Sequence, residues 1–170
     1  MKYSRLFVRR EHRMQETINK ELIVTVPEGF EVLSAEALNS LYLDNNPNRW
    51  GMSDKERHLT GTIFYHVSNI LLAAIANAKD VANSTRIQLS KRLSEYDYIQ
   101  GDSFEMNICG LDAYGFHYEY TNHHIPTNGI VAVFKRGRSC YTVYWYSRKE
   151  NEIDSDAVFR EFCESLSFSK

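Results

Sequence analysis

Proline, glycine and cysteine are all scarce in this chain of 170 residues, at three, eight and three residues. So little proline and glycine excludes a collagen-like or low-complexity chain. The cysteines, Cys109, Cys140 and Cys163, are odd in number and widely spaced, with no Cys-x-x-Cys pair to suggest a zinc site or redox motif. They fit reduced thiols and a cytoplasmic setting. An excess of one charge is missing too. With 20 basic and 22 acidic side chains there is no long-range field to gather a polyanion, which argues against nucleic acid as a partner. Long hydrophobic runs are also absent. The most apolar one, Ile70 to Ala76, falls far short of the roughly 20 residues that cross a bilayer, so it is expected in the core, with no membrane partner. Charges scattered through Met1 to Arg10 interrupt the apolar stretch of about 7 to 15 residues that an export signal needs, so none is expected. Glycines nowhere cluster as a phosphate-cradling loop before a helix.

What is present is a folding composition: 43% hydrophobic and 25% charged residues. At this length one domain over residues 1–170 is expected, burying roughly 70% of its unfolded surface. Leu22 to Val26 reads as a strand ending at Pro27-Glu28-Gly29, with residues 12–17 expected to pair back on it through Ile18-Asn19. Ser34 is an N-cap for a helix over residues 35–43, with Leu38, Leu41 and Tyr42 on its stripe. Residues 44–58 show no periodicity and are expected to form a long loop containing Arg49 and Trp50. Thr60 to Val67 reads as a strand. Leu71, Ile75, Ala78, Ala82, Thr85, Leu89, Leu93 and Tyr96 then follow in steps of three and four as one helical face, either continuous or broken near Asn77 to Asp80.

From Phe104 the period falls to two, and turns at Gly110-Leu111-Asp112, Asn122 to Gly129 and Arg136-Gly137-Arg138 divide the chain into strands near 104–109, 112–121, 129–136 and 139–148. A two-residue turn at Gly137-Arg138 places Phe134 opposite Tyr141, Ala132 opposite Val143 and Ile130 opposite Trp145. The other side of these strands carries Val131, Val133, Cys140, Thr142, Tyr144 and Tyr146, too apolar to be left wet. A final helix, capped by Asp154 or Ser155, presents Phe159, Phe162, Cys163 and Leu166 on one side. The fold class is α+β: a mainly antiparallel sheet of about six or seven strands flanked by helices on both faces, the C-terminal helix on one and the central helix on the other.

The phrases Leu22-Ile23-Val24-Thr25-Val26-Pro27-Glu28-Gly29-Phe30, Gly110 to Tyr120, and Tyr141 to Tyr146 through Phe159, Ser165, Leu166 and Phe168 follow one another in an order that resembles the PsbP-like family. That family has an α-β-α sandwich shared by photosystem-associated proteins, small bacterial lipoproteins and a Ran-binding nuclear-transport factor. The resemblance spans the chain from about residue 20 onward, and each phrase records a strand, turn or helix rather than chemistry. It implies the sandwich and a binding or assembly role, and transfers no functional residue.

Candidate chemistry is sparse. His12, His58, His66, His117, His123 and His124 include one adjacent pair, but neighbours in an extended segment point to opposite sides, so a metal would need further ligands such as His117 or Glu119. The cysteines read as buried structural thiols rather than partners of a Cys-His nucleophile. Asp154 with Asp156 and Glu161 with Glu164 read as solvated cap and surface residues. Lys2, Arg5, Arg9, Arg10 and Arg13 against Glu11 read as an exposed basic edge without the aromatic interleaving of a nucleic-acid surface. The aromatic content is the strongest signal, with eleven tyrosines, nine phenylalanines and two tryptophans. These observations give a non-enzymatic cytoplasmic binding or assembly module that engages a protein partner or a small ligand through Arg49, Trp50, Tyr144 and Tyr146. No cofactor, catalytic residue or metal ligand is assigned. The alternative is a metal-dependent or hydrolase-like enzyme using the histidines of residues 117–124.

Overall fold

The computed structural model describes residues 13–170; His12 and the basic residues from Lys2 to Arg10 lie outside them. In chain order the elements are strands Gln15–Ile18 (β1), Leu22–Thr25 (β2) and Glu31–Val32 (β3), and helix Ala35–Tyr42 (α1). Strands Arg49–Asp54 (β4) and Leu59–Val67 (β5) follow, then helices Ile70–Ile75 (α2) and Ala78–Arg92 (α3). The long strands are Ile99–Ile108 (β6), Leu111–Asn122 (β7), Ile125–Arg136 (β8) and Ser139–Arg148 (β9). A 3-10 turn at Lys149–Asn151 leads into helix Glu152–Ser165 (α4), and Ser167–Phe168 (β10) ends the set.

Seven strands form one antiparallel sheet in the order β3-β4-β5-β9-β8-β7-β6, and β1-β2-β10 form a second, smaller one. The tight turn at Gly137-Arg138 imposes the expected register, with Phe134 opposite Tyr141, Ala132 opposite Val143 and Ile130 opposite Trp145. Strand alternation then sorts the side chains into two cores. Ile130, Ala132, Phe134, Tyr141, Val143 and Trp145 pack with Leu22 and Val24 of the small sheet and with Phe159, Phe162 and Cys163 of α4. Val131 and Val133, with Phe116 and Tyr118 of β7, pack on the opposite face against Ala78, Ala82 and Leu89 of α3. β8 is therefore covered on both sides, and every residue from Thr127 to Phe134 is buried. That double coverage makes the fold an α-β-α sandwich.

Local differences from the expected elements have physical causes. Residues 44–58 are not one loop: residues 49–54 form β4, paired with β5 from Arg49 opposite Phe64 to Asp54 opposite Leu59. The Asn122 to Gly129 connection shrinks to His123-His124, both with positive φ (46° and 66°) as a two-residue type I′ hairpin turn requires, so β8 starts at Ile125. Cys109 lies in the β6–β7 turn rather than in a strand. The central helical face breaks at Asn77, whose side chain accepts from the Asp80 amide and caps α3. Ala78, Ala82, Thr85 and Leu89 are buried as expected, whereas Leu71 and Ile75 stand in solvent. α4 begins at Glu152, ahead of both expected caps. Ser155 is buried, and its hydroxyl accepts the Trp145 indole N–H at 3.0 Å.

Candidate functional site

The four residues singled out in the sequence divide between the two faces of the large sheet. Trp50 and Met52 point into the core beneath the small sheet, where the Trp50 indole donates to Glu16 Oε2 at 2.6 Å. Only 8% of Trp50 is exposed, so it contributes packing rather than an open surface. Arg49, one residue earlier in an alternating strand, projects to the opposite face, where Tyr144 and Tyr146 of β9 also lie.

Among the described residues that second face has two helical covers with a gap between them. α3 lies over β7 and β8, while α1 lies over β4. Leu38 of α1 sits directly on Gly51; a Cβ there would come within 2.7 Å of its side chain, which fixes how close the helix approaches. Tyr144 and Tyr146 occupy the gap and are both half-buried. Tyr42, at the last turn of α1, packs edge-on against Tyr144 with ring centroids 6.4 Å apart, and its hydroxyl bonds to Thr62 Oγ1 and lies 3.3 Å from that of Tyr146. Arg49 stacks over the Tyr42 ring at 3.8 Å and donates to both carboxylate oxygens of Asp44, at 2.6 and 3.0 Å. Two exposed leucines flank Tyr42 in the chain: Leu41, and Leu43, which ends α1 in the left-handed region (φ 54°) with 92% of its surface bare.

Burial dominates the electrostatics of this face. It pushes Tyr144 up to about 12, with Tyr42 adding to the effect and Arg92 and Arg49 opposing it. Burial likewise lifts Tyr120 to about 12 and holds Tyr146 well above its ordinary range. The hydrogen bond from Arg49 leads the causes that hold the Asp44 carboxyl low. The phenols thus stay protonated at physiological pH, beside a guanidinium whose charge is met by Asp44. Such a surface offers aromatic area, hydroxyl donors and one fixed cation. Tyr42, Asp44, Leu43 and Arg92 were not singled out in the sequence. Tyr42 carried only a helical-stripe signal, and the Asp44–Arg49 pair joins a helix end to a strand hidden within a loop-like composition.

The histidine region is arranged differently. His117 faces Asp156 of α4, with Nε2 3.6 Å from Oδ2, in a cleft of about 340 Å³ that is also lined by Asp102, Glu119 and Glu152. Asp156 is therefore half-buried in a cleft rather than on a solvated surface. Glu119 is tied to Lys149 at 2.6 Å. His123 and His124 are exposed at the hairpin turn. Among the described residues no three histidine, cysteine, aspartate or glutamate side chains converge as a metal site. The thiols of Cys163, Cys140 and Cys109 are all pushed up by burial, the opposite of nucleophile activation.

Comparison with known proteins bears on the fold. No protein-family model matches the chain, and no curated protein sequence does. Among solved structures, PsbP (CyanoP) from Synechocystis sp. PCC 6803 superposes with a TM-score of 0.67 at 10% identity, over 92% of each chain. The Ran-binding protein Mog1p of Saccharomyces cerevisiae gives 0.57 at 8% identity over 91% of this chain and 95% of its own. LpqN of Mycobacterium tuberculosis, involved in cell envelope biogenesis, gives 0.55 at 11% identity over 95% and 88%. The chain has the PsbP-like fold, and at these identities the likeness is one of architecture.

Proposed function

We propose that the protein is a non-enzymatic binding or assembly module, acting in the cytoplasm, that engages a protein partner at the gap between α1 and α3. The carrying observation is the half-buried Tyr144–Tyr146 floor, which neither helix closes among the described residues, with Arg49 and Arg92 near Tyr144 and the exposed Leu41 and Leu43 on either side of Tyr42 in the chain. Rigid aromatic anchors around a paired arginine are the composition that protein interfaces favour, and they cost little side-chain entropy on docking. That one neighbour in fold is a Ran-binding protein supports a protein partner over a small ligand. Of the four residues read from the sequence, Arg49, Tyr144 and Tyr146 belong to this surface, while Trp50 supports β4 from behind.

The test is affinity capture from source lysate with wild type, Leu43→Asp and Arg92→Glu, both substitutions at exposed positions. The same specific protein should be recovered by wild type and depleted in both variants. Identical recovery in all three would remove this surface from the reading. A second reading, hydrolase-like or metal-dependent chemistry in the cleft of His117, rests on the approach of Asp156. At 3.6 Å that contact is an ion-pair distance rather than a hydrogen bond, and the lining supplies acids but no serine or cysteine nucleophile.

A further inference from the structure

The most apolar run of the sequence is not core. α2 has large side chains at Ile70, Leu71, Leu72 and Ile75, and they are 76, 75, 53 and 72% exposed; Val67 just before it is 46% exposed. Helix α2 is nonetheless held firmly. Asn69 caps its start, Lys135 donates to the Ala73 and Ala76 carbonyls at its end, and the Ser68 carbonyl accepts from Arg138 Nε at 2.7 Å. Cationic side chains thus pin the backbone of a helix whose apolar side chains are turned outward. At 100° per residue those four side chains sweep an arc of about 200°, twice the roughly 100° stripe by which a helix packs on a protein surface. An occupant able to wrap so wide an arc is soft.

The charges at this end of the sheet identify it. Val67, just before α2, pairs with Ser139, and Arg138 bonds to Ser68, so Arg138 lies beside the start of α2, with Lys79 beyond its end at the start of α3. Among the described residues Lys79 and Arg138 pair with no carboxylate; Lys79 lies over the Tyr114 ring at 5.8 Å, and the neighbouring Asp80 accepts from Asn77. A bare apolar protrusion flanked by cations that no carboxylate neutralises is complementary to anionic headgroups over acyl chains. We infer that α2 is a membrane-surface anchor: it seats Ile70, Leu71, Leu72 and Ile75 at the boundary between headgroups and acyl chains of an anionic leaflet, with Lys79 and Arg138 on the phosphates. This contact lies in the interface plane. Among the described residues no helix is long and apolar enough to cross a membrane.

Sedimentation of the full chain with vesicles tests the assignment, using phosphatidylcholine alone and phosphatidylcholine mixed with phosphatidylglycerol. Wild type should pellet with the mixed vesicles and stay in solution with the neutral ones. Leu71→Glu with Ile75→Glu should abolish pelleting, and the milder Leu71→Ala with Ile75→Ala should reduce it with an unchanged circular dichroism spectrum. Lys79→Gln should weaken association about fivefold at low salt. Leu71→Trp should blue-shift its emission only with anionic vesicles. The assignment is overturned by absence of pelleting, or by pelleting indifferent to the α2 substitutions. It is also overturned by a wild type that self-associates in analytical ultracentrifugation and becomes monomeric in the α2 variants, because the occupant is then a second copy of the chain.

Discussion

Raising the pH puts the tyrosine face under a load that can be worked out in advance. Tyr144 and Tyr120 ionise at about 12 in the folded protein against 10.0 when solvated, and burial is the main cause for both. A phenol whose folded pKa is raised contributes stability that is fully present below the unfolded pKa and drains away as pH rises through the folded one. Linkage gives a loss of about 1.4 kcal/mol per such tyrosine at pH 11 and about 2.3 kcal/mol at pH 12. The two together remove about 3 kcal/mol at pH 11, a large share of the 5–15 kcal/mol typical of a domain. Tyr141, lifted to about 12 by burial and by its hydrogen bond to the Glu21 carboxylate, acts in the same direction. Urea unfolding at neutral pH and near pH 11, combined with tyrosinate absorbance, measures the effect. Wild type should lose stability steeply above pH 10, with tyrosinate appearing largely on unfolding. In Tyr144→Phe the loss on going to pH 11 should be smaller by about 1.4 kcal/mol. If tyrosinate instead forms near pH 10 in a chain that keeps its native circular dichroism, or if Tyr144→Phe leaves the pH slope unchanged, the burial argument for this face is wrong.

At acid pH the sign reverses for Asp54. Burial works against its charge, but the Arg57 amide and guanidinium outweigh that and hold the carboxyl below its ordinary value; its stability contribution is lost as pH falls through that lowered pKa, so Asp54→Asn should flatten the acid limb of a thermal-melt profile. Ser155→Ala leaves the buried Trp145 indole N–H unpaired and should cost about 1–3 kcal/mol in chemical denaturation. Gly129→Ala drives a methyl into the Tyr118 ring and should cost about 1–3 kcal/mol or more, whereas Gly110→Ala meets nothing and is limited by its φ of 79°. In a panel of ester and phosphoester substrates with and without divalent metals, His117→Ala and Asp156→Asn should match wild type; an activity present in wild type and lost in both would move the functional assignment to the cleft.

The meander was legible because its evidence was local. The short turn at Gly137-Arg138 fixes a register, and alternation around it then assigns Tyr141, Val143 and Trp145 to one core and Tyr144 and Tyr146 to the other face. β4 was not legible: Arg-Trp-Gly-Met-Ser-Asp has little strand propensity, and Gly51 is there because Leu38 needs its space. Nor was the start of β8, where Pro126 and Gly129 imitate a turn while His123-His124 makes the actual one. Leu71 and Ile75 continued a helical rhythm across Asn77 that the chain itself does not continue. Trp50 was assigned to a partner surface because an apparent loop suggested exposure; one strand's alternation places it on the far side from Arg49. Sequence pattern reports which residues share a face of one element, but not which other element covers that face.

The small sheet imposes an order on assembly. Leu22 of β2 pairs with Phe168 of β10, and Leu59 of β5 with Ser147 of β9, whereas β6, β7 and β8 join only their chain neighbours. Distant pairings pay for loop closure before they are rewarded, so the hairpins between Ile99 and Arg148 nucleate and the strands around Leu22 dock onto a surface already built. A growing chain therefore emerges from the ribosome with its first two strands bare, and Leu22 and Val24 must be kept from the wrong neighbours until β10 has been synthesised.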